Sequence, residues 1–407
     1  MKIVLAHNRY VSANPSGENT VVDLESRLLA EAGVTVLPFQ RSSDEIAELS
    51  KPQKALLPIS PIYARRAQRE LAALLESERP DVLHLHNPYP LLSPWVIRTA
   101  HAHGVPVVHT VHNFRQVCAN GLYFRDGHSC HDCLGKAYPY PAVQHSCYRG
   151  SKAQSALMAT TLTVHRGTWH SVDRYLALTP AIAEHLRSFG VTDAQITVKP
   201  NGVPDPGRHD QVGRGLLFVG RFSAEKGLDL LVDAWQRHPE GSLGTLRLIG
   251  DGPLHAEVTA AAAGRRDIEL LGRRTHAEVQ DAMRESAALV TPSTWDEVCP
   301  MVVVEALANG RPVLATAMGG LPFLVGSDDA AETPGEDAAP AGGWTVPPDA
   351  EALAAILPRV VSEAPALAAA ARRRYERMFS TTVTTAALLG VYEELIAARV
   401  DRRVVKR

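Results

Sequence analysis

The sequence lacks any continuous apolar run of the roughly 20 residues that a membrane-spanning helix needs, so no bilayer-spanning segment is expected. It also lacks a dominant charge. Lys and Arg number 42 against 44 Asp and Glu, a formal net charge of −2, and no global basic field draws in nucleic acid. Met1–Ala6 is apolar but turns polar at His7-Asn8-Arg9, too soon for a signal peptide, so the stretch reads as a first strand and the cytosol as the default compartment. Five cysteines then point to reduced thiols or a metal site rather than a disulfide framework. No Asp-x-Asp occurs, so a carboxylate-held divalent cation is not indicated for catalysis. The first expected βα turn has no Gly-x-Gly-x-x-Gly, which counts against a dinucleotide oxidoreductase.

What is present is an α/β alternation across a chain of 407 residues, a length that suits two domains. In the first half, strands are expected at Lys2–Ala6, Val34–Phe39, Asp81–His86, Val105–Val111 and Tyr175–Leu178, with helices over Thr20–Ala32, Tyr63–Glu76 and Pro94–His103. The stretch from Pro200 to Gly207 can continue neither a strand nor a helix. The pattern restarts with strands at Leu216–Gly220, Leu246–Gly250, Ile268–Leu271, Ala288–Thr291 and Pro312–Ala315. Helices are expected at Leu228–Gln236, Leu254–Ala263, His276–Glu285 and Met301–Ala308, and a surface loop over Ala330–Gly343. The division is therefore a Rossmann-like domain over 1–200, a linker over 201–213, a second Rossmann-like domain over 214–380 and a C-terminal helix over 381–407. Ligands of such sheets bind beyond the carboxyl ends of the strands, so the residues to weigh are those just after each strand.

The richest segment runs from Thr291 to Asn309. It leaves a strand, crosses Trp295-Asp296-Glu297-Val298-Cys299 and enters a helix for which Pro300 is a good first residue. The amides of Met301 and Val302 then form an anion site for phosphates. Glu305, one turn further in, can accept both hydroxyls of a ribose, and Glu297 can accept hydroxyls of an attached sugar. Two glutamates are ordinarily solvated, but Val302-Val303-Val304 implies burial, where an unpaired carboxylate is costly. After Gly220, Arg221 and Lys226 offer a planar fork and a mobile point charge to a diphosphate, although a surface Arg and Lys would fit the same spacing. Turns at Gly252 and Arg273 follow two further strands and are weak signals alone.

In the first half, Gly17 precedes a helix and lets backbone approach a ligand, unless Ser16 or Asn19 simply caps that helix. His112 follows a strand, while His84, His86 and His109 read as structural. Cys118, Cys130, Cys133 and Cys147 fall within an insert over 114–149 that has little apolar periodicity, and they suit a structural zinc as well as two unrelated thiol pairs. Arg65, Arg66, Arg69, Lys51 and Lys54 form a local basic region that suits an anionic lipid, a phosphorylated acceptor or only solvent.

Together, Gly220-Arg221, Glu225-Lys226-Gly227, Gly250-Asp251-Gly252-Pro253, Glu297–x7–Glu305, Gly310-Arg311-Pro312-Val313 and Pro200-Asn201-Gly202-Val203 resemble the retaining GT-B glycosyltransferases of family 4, a subset of which carries a similar cysteine-bearing insert. The resemblance covers nearly the whole chain. It implies two facing Rossmann-like domains, with the terminal helices crossing back to the first. It places Arg221 and Lys226 on the diphosphate, Glu305 on the ribose, and Glu297 and His112 on the donor sugar. It further implies metal-independent transfer of a hexose-type sugar from a UDP- or GDP-linked donor, with retained configuration. The acceptor is then a saccharide, a lipid-linked precursor or a small molecule, reached with or without peripheral membrane contact. Many members carry Phe-Gly where this chain has Val298-Cys299, so the resemblance leaves the sugar open. The rival readings are a GT-B epimerase or phosphorylase-like protein and a catalytically silent sugar-binding subunit.

Overall fold

The computed structural model describes residues 1–13, 16–208, 213–326 and 341–405. Its first half contains strands β1 (Lys2–Arg9), β2 (Thr35–Ser42), β3 (Val82–Leu85) and β4 (Val107–Val111), a short hairpin of β5 (Phe124–Arg125) and β6 (His128–Ser129), and then β7 (Arg174–Ala177) and β8 (Ile196–Val198). Its second half contains β9 (Leu216–Val219), β10 (Leu246–Ile249), β11 (Ile268–Gly272), β12 (Ala288–Thr291), β13 (Val313–Thr316) and β14 (Gly343–Val346). They assemble into two six-stranded sheets of order β2-β1-β3-β4-β7-β8 and β11-β10-β9-β12-β13-β14, with every pair inside them parallel.

The central strands are buried on both faces, as the apolar runs require: Ile3 to Ala6, Val82 to Leu85, Ala288 to Val290 and Val313 to Ala315 are nearly inaccessible. In each sheet the strand order reverses once, between β1 and β3 in the first and between β9 and β12 in the second. Backbone loops diverge there and leave room for a ligand at the carboxyl ends of the strands.

The chain divides into two compact units. One holds Met1–Tyr123, His131–Lys199 and Thr385–Arg407, and the other holds Phe124–Cys130 and Pro200–Thr384. The C-terminal helix Thr381–Val405 thus gives most of its length to the first unit. There Leu388, Val391, Tyr392 and Leu395 complete a core with Ile3, Leu29, Val34, Val82, Val108 and Leu176.

One expectation needs correction, and two others fall partly outside the described residues. The helix Ala350–Met378 is, by length and composition, apolar enough to cross a membrane, which the sequence reading did not anticipate because its hydropathy comes from many alanines rather than large side chains. Its Leu353, Leu357, Val360 and Ala364 are spent in the core of the second unit. The loop expected over 330–343 lies outside the described residues as far as residue 340, and its last residue, Gly343, opens β14. In the linker, residues 209–212 are outside the described residues, while Val203 bridges Ser380 within the second unit.

Candidate functional site

In the second unit the chemistry gathers where the strand order reverses. After β9, Arg221 leads into a single turn, Ala224–Lys226, closed by Gly227 in the left-handed conformation at φ 63°. After β12, the loop over 292–300 leads into the helix Met301–Ala308. Two bonds staple these loops together, Thr294 N–H to the Glu225 carbonyl at 3.0 Å and the Thr294 hydroxyl to the Ala224 carbonyl at 3.1 Å. Gly227 has to be glycine, because a Cβ there would come within 1.9 Å of the Pro292 carbonyl oxygen.

The staple puts Lys226 against Glu297. The ammonium donates to Glu297 Oε1 at 2.7 Å, and the Ser293 hydroxyl donates to the same oxygen at 2.6 Å. Glu297 is 3% exposed, so the ion pair answers a carboxylate that would otherwise be buried without a counter-charge. The Trp295 ring lies 5.1 Å from the same ammonium and adds a cation–π contact. Gly319 packs behind Glu297, where a Cβ would fall 2.4 Å from its carbonyl oxygen, and Gly320 N–H bonds that carbonyl at 2.6 Å. Arg221 pairs with Glu225, which also accepts from Ser223 Oγ at 2.7 Å. Burial pushes the Glu225 carboxyl up, but the bonds from Ser223 and Arg221 outweigh it and hold the group below its ordinary range. Both cations are thus preset by carboxylates, and an ammonium with three donors can serve Glu297 and a phosphate together.

Pro300 stands at the N-cap of the helix Met301–Ala308, one position before the expected one, and no side chain caps that helix end. The first-turn amides therefore keep their affinity for an anion. Glu305 lies further along the helix, and burial raises its carboxyl to about 7, the value of a group waiting for donors. Val298 is buried, and Cys299, Met301 and Val302 pack against the apolar cluster that holds Val303, Val304 and Leu321. What this stretch offers a ligand is chiefly its backbone.

Two of the expected contact residues also have partners within the protein. Gly252 is required by packing, since a Cβ would sit 2.5 Å from the Phe222 carbonyl oxygen. Arg273 is 71% exposed and tethered to Asp251 at 3.4 Å. Ser293, Ser223 and Glu225 join the site without a local signal in the sequence, being small or acidic residues whose role depends on which loop they meet.

In the first unit, His112 follows β4 and its Nε2 lies 2.8 Å from His86 Nδ1. Behind His86 stand Glu25, with Oε1 3.2 Å from His86 Nε2, and Lys199, with Nζ 3.4 Å from Glu25 Oε2. His84 meets Glu25 Oε1 at 3.1 Å, the Tyr392 hydroxyl at 2.7 Å and the Thr110 hydroxyl at 2.8 Å. His84 and His109 are buried in bonded positions, as expected of structural histidines, but His86 is joined to His112. Gly17 is exposed, with nothing within 4 Å of where a Cβ would stand, and Ser16 caps its helix by accepting from Glu18 N–H. The capping expected of Ser16 is thus present, and Gly17 stands beside open space.

Cys118 is buried and its thiol donates to Asn120 Oδ1 at 2.9 Å, and among the described residues Cys118, Cys130, Cys133 and Cys147 enter no group of three ligand atoms lying within 4.8 Å of one another. Among the described residues that proximity is reached by Glu25, His84 and His86.

Residues 13–202 match the family model described as Glycosyl transferase 4-like domain, and residues 213–371 match that of Glycosyl transferases group 1. The chain is 31% identical over 265 residues to the D-inositol 3-phosphate glycosyltransferase of Kineococcus radiotolerans, a match over 57% of this chain and 60% of that protein. It spans under two thirds of that relative, and smaller shares of others that it matches at comparable strength. Among solved structures, sucrose-phosphate synthase from Thermosynechococcus elongatus superposes with a TM-score of 0.69 at 22% identity, covering 98% of this chain and 99% of that one. Anabaena HepE in complex with UDP-glucose gives a TM-score of 0.62 at 15% identity, covering 97% and 100%.

Proposed function

We infer, for a chain built of a glycosyl transferase 4-like domain followed by a glycosyl transferases group 1 domain in the GT-B fold, that it transfers a hexose-type sugar from a UDP- or GDP-linked donor to an acceptor hydroxyl with retention of configuration. The observation that carries this reading is the Lys226–Glu297–Ser293 cluster beside the uncapped start of the helix Met301–Ala308. Lys226, Arg221 and the helix amides take the diphosphate, Glu305 takes the ribose, and Glu297 takes the sugar hydroxyls. Negative charge builds on the diphosphate as the glycosidic bond breaks, and two cations held in place beforehand need no reorganisation to meet it. That role is filled without a divalent metal. His112 in the first unit contacts the donor sugar.

The acceptor is proposed to be lipid-linked or saccharide, met by the enzyme at the cytoplasmic face of a membrane. A groove of about 620 Å³ in the first unit supports this, with exposed Leu56, Ile59 and Tyr63 beside Arg65, Arg66 and Arg69. Apolar side chains ringed by cations suit an acyl or prenyl chain under an anionic headgroup.

The test is a panel of nucleotide-sugars screened by thermal shift, followed by transfer assays in EDTA with acceptors offered free and on anionic vesicles, the anomeric product being read by NMR. One donor is expected to raise Tm by several degrees and to give a retained product. Lys226→Ala and Glu305→Ala are each expected to lower kcat/KM at least 100-fold. Transfer that survives both changes, or donor binding with no transfer to any acceptor, overturns the assignment; the second outcome describes a silent sugar-binding subunit.

A further inference from the structure

Behind His112, which the proposed transfer uses, stands a row of Lys199, Glu25 and His86 in the first unit to which that transfer assigns no role. Glu25, His86 and Lys199 are buried, and His112 is half-buried at the end of β4. Glu25 Oε1 and His86 Nε2 face each other at 3.2 Å, short of the alignment of a full hydrogen bond, and neither has a well-aligned partner among the described residues. The same three ligand atoms of Glu25, His84 and His86 are close enough for a cation. Charge argues otherwise: Lys199 already balances Glu25, and a divalent ion would leave two uncompensated positive charges in a buried site.

Without a metal, the hydrogens can be placed by elimination. A carboxylate has no hydrogen to give, and at 3.2 Å its oxygen would repel a bare nitrogen lone pair, so the His86 nitrogen facing Glu25 carries the hydrogen. Burial keeps His86 neutral, lowering it to about 3. Its Nδ1 is then a bare acceptor, and across 2.8 Å His112 Nε2 has to donate to it. A neutral His112 is left with an unprotonated Nδ1.

We propose that Glu25 and His86 are positioning residues that lock His112 in the Nε2–H form, so that its Nδ1 accepts from a hydroxyl of the bound sugar and disfavours a carboxylate at that point. The inference rests on the reading of His112 as a donor-sugar contact and narrows the donor to neutral, hydroxyl-bearing sugars over uronic acids. A uronic carboxylate would face a lone pair with a second acceptor, whereas a hydroxyl supplies the missing hydrogen. His86→Leu removes the acceptor and frees the His112 ring, while the side-chain oxygen of His86→Asn can replace Nδ1.

The experiment is long-range ¹H–¹⁵N NMR on the full chain labelled with ¹⁵N-histidine, with the His112 signal identified by its loss in His112→Gln. The wild type is expected to carry the His112 hydrogen on Nε2, His86→Leu to give a mixture of both forms, and His86→Asn to restore the wild-type pattern. In transfer assays His86→Leu is expected to lower kcat/KM about tenfold, by analogy with the loss of the outer partners that orient metal-binding histidines, with UDP affinity unchanged. His86→Asn is expected to recover most of that loss. A hydrogen on Nδ1 in the wild type overturns the proposal whether or not His86→Leu folds. So does a wild-type pattern kept in His86→Leu, stoichiometric zinc that is lost in Glu25→Gln, or a preference for a nucleotide-linked uronic acid. If no nucleotide-sugar is turned over by the wild type, the transferase reading fails while the NMR result still decides the tautomer.

Discussion

At the scale of single residues, the informative contrast lies between Glu297 and Glu305. Both are glutamates of one loop and helix, but Glu297 is neutralised by Lys226 and Glu305 is desolvated without such a counter-charge. A carboxyl whose folded value is raised from 4.5 to about 7 binds a proton that the unfolded chain has released. Its contribution to stability is therefore whole below about pH 4.5 and is lost as pH rises through 7. Glu305→Gln is expected to raise Tm relative to the wild type at pH 8 and to leave it nearly unchanged at pH 5, as differential scanning calorimetry can read. Ribose hydroxyls favour the ionised form, so UDP affinity in the wild type should rise about tenfold between pH 6 and pH 8, following the ionised fraction. Titration calorimetry should find the Glu305→Gln affinity flat once phosphate ionisation common to both proteins is subtracted. The spacing of Glu297 and Glu305 was legible in the sequence because it is local. That Lys226 is Glu297's partner was not, because it depends on a contact across 71 positions. Glu25, lost in an amphipathic pattern, gave no sign of the histidines that it serves.

At the scale of elements, most central strands and the helices at Leu228–Gln236, His276–Glu285 and Met301–Ala308 stand where apolar periodicity puts them. The strands β8 and β14, at the far edges of their sheets, escaped because three or four partly exposed residues carry little pattern. The helix Lys152–His170 escaped for another reason: its inward face includes Ser155, Thr161, His165 and Thr168, so hydrophobic contrast is weak. Loops between elements hold the site, and glycine decides their fit. Gly319→Ala forces both a left-handed alanine at φ 54° and a Cβ against the Glu297 backbone. Gly241→Ala imposes the first strain alone, at φ 77° with open space around it. Gly241→Ala is expected to lose about 1 kcal/mol of stability in denaturant melts, and Gly319→Ala more than that. Only Gly319→Ala should also lose transfer, on the order of 100-fold in kcat/KM, because Glu297 is displaced. Equal activity in the two variants would show that Glu297 tolerates movement.

At the scale of the whole molecule, the first unit is finished by residues that come after the second. Four side chains of the C-terminal helix, Leu388, Val391, Tyr392 and Leu395, close its core, and Tyr392 also bonds His84. At about 1.5–3 kcal/mol for each buried side chain, their loss rivals the roughly 5–15 kcal/mol that keeps an ordinary domain folded. Truncation after residue 384 is expected to abolish the first unit's cooperative transition while leaving the second unit as a protease-resistant fragment, a result that limited proteolysis with mass spectrometry can check. During synthesis the same arrangement imposes a wait. About 185 residues, Pro200 to Thr384, are made between Lys199 and the helix that covers Val82, Val108 and Leu176. At about 5–20 residues per second that interval is on the order of 10–40 s, with an open apolar face at the ribosome. The unit that begins the chain is therefore the last to become stable, and its newborn form is a natural client for a chaperone.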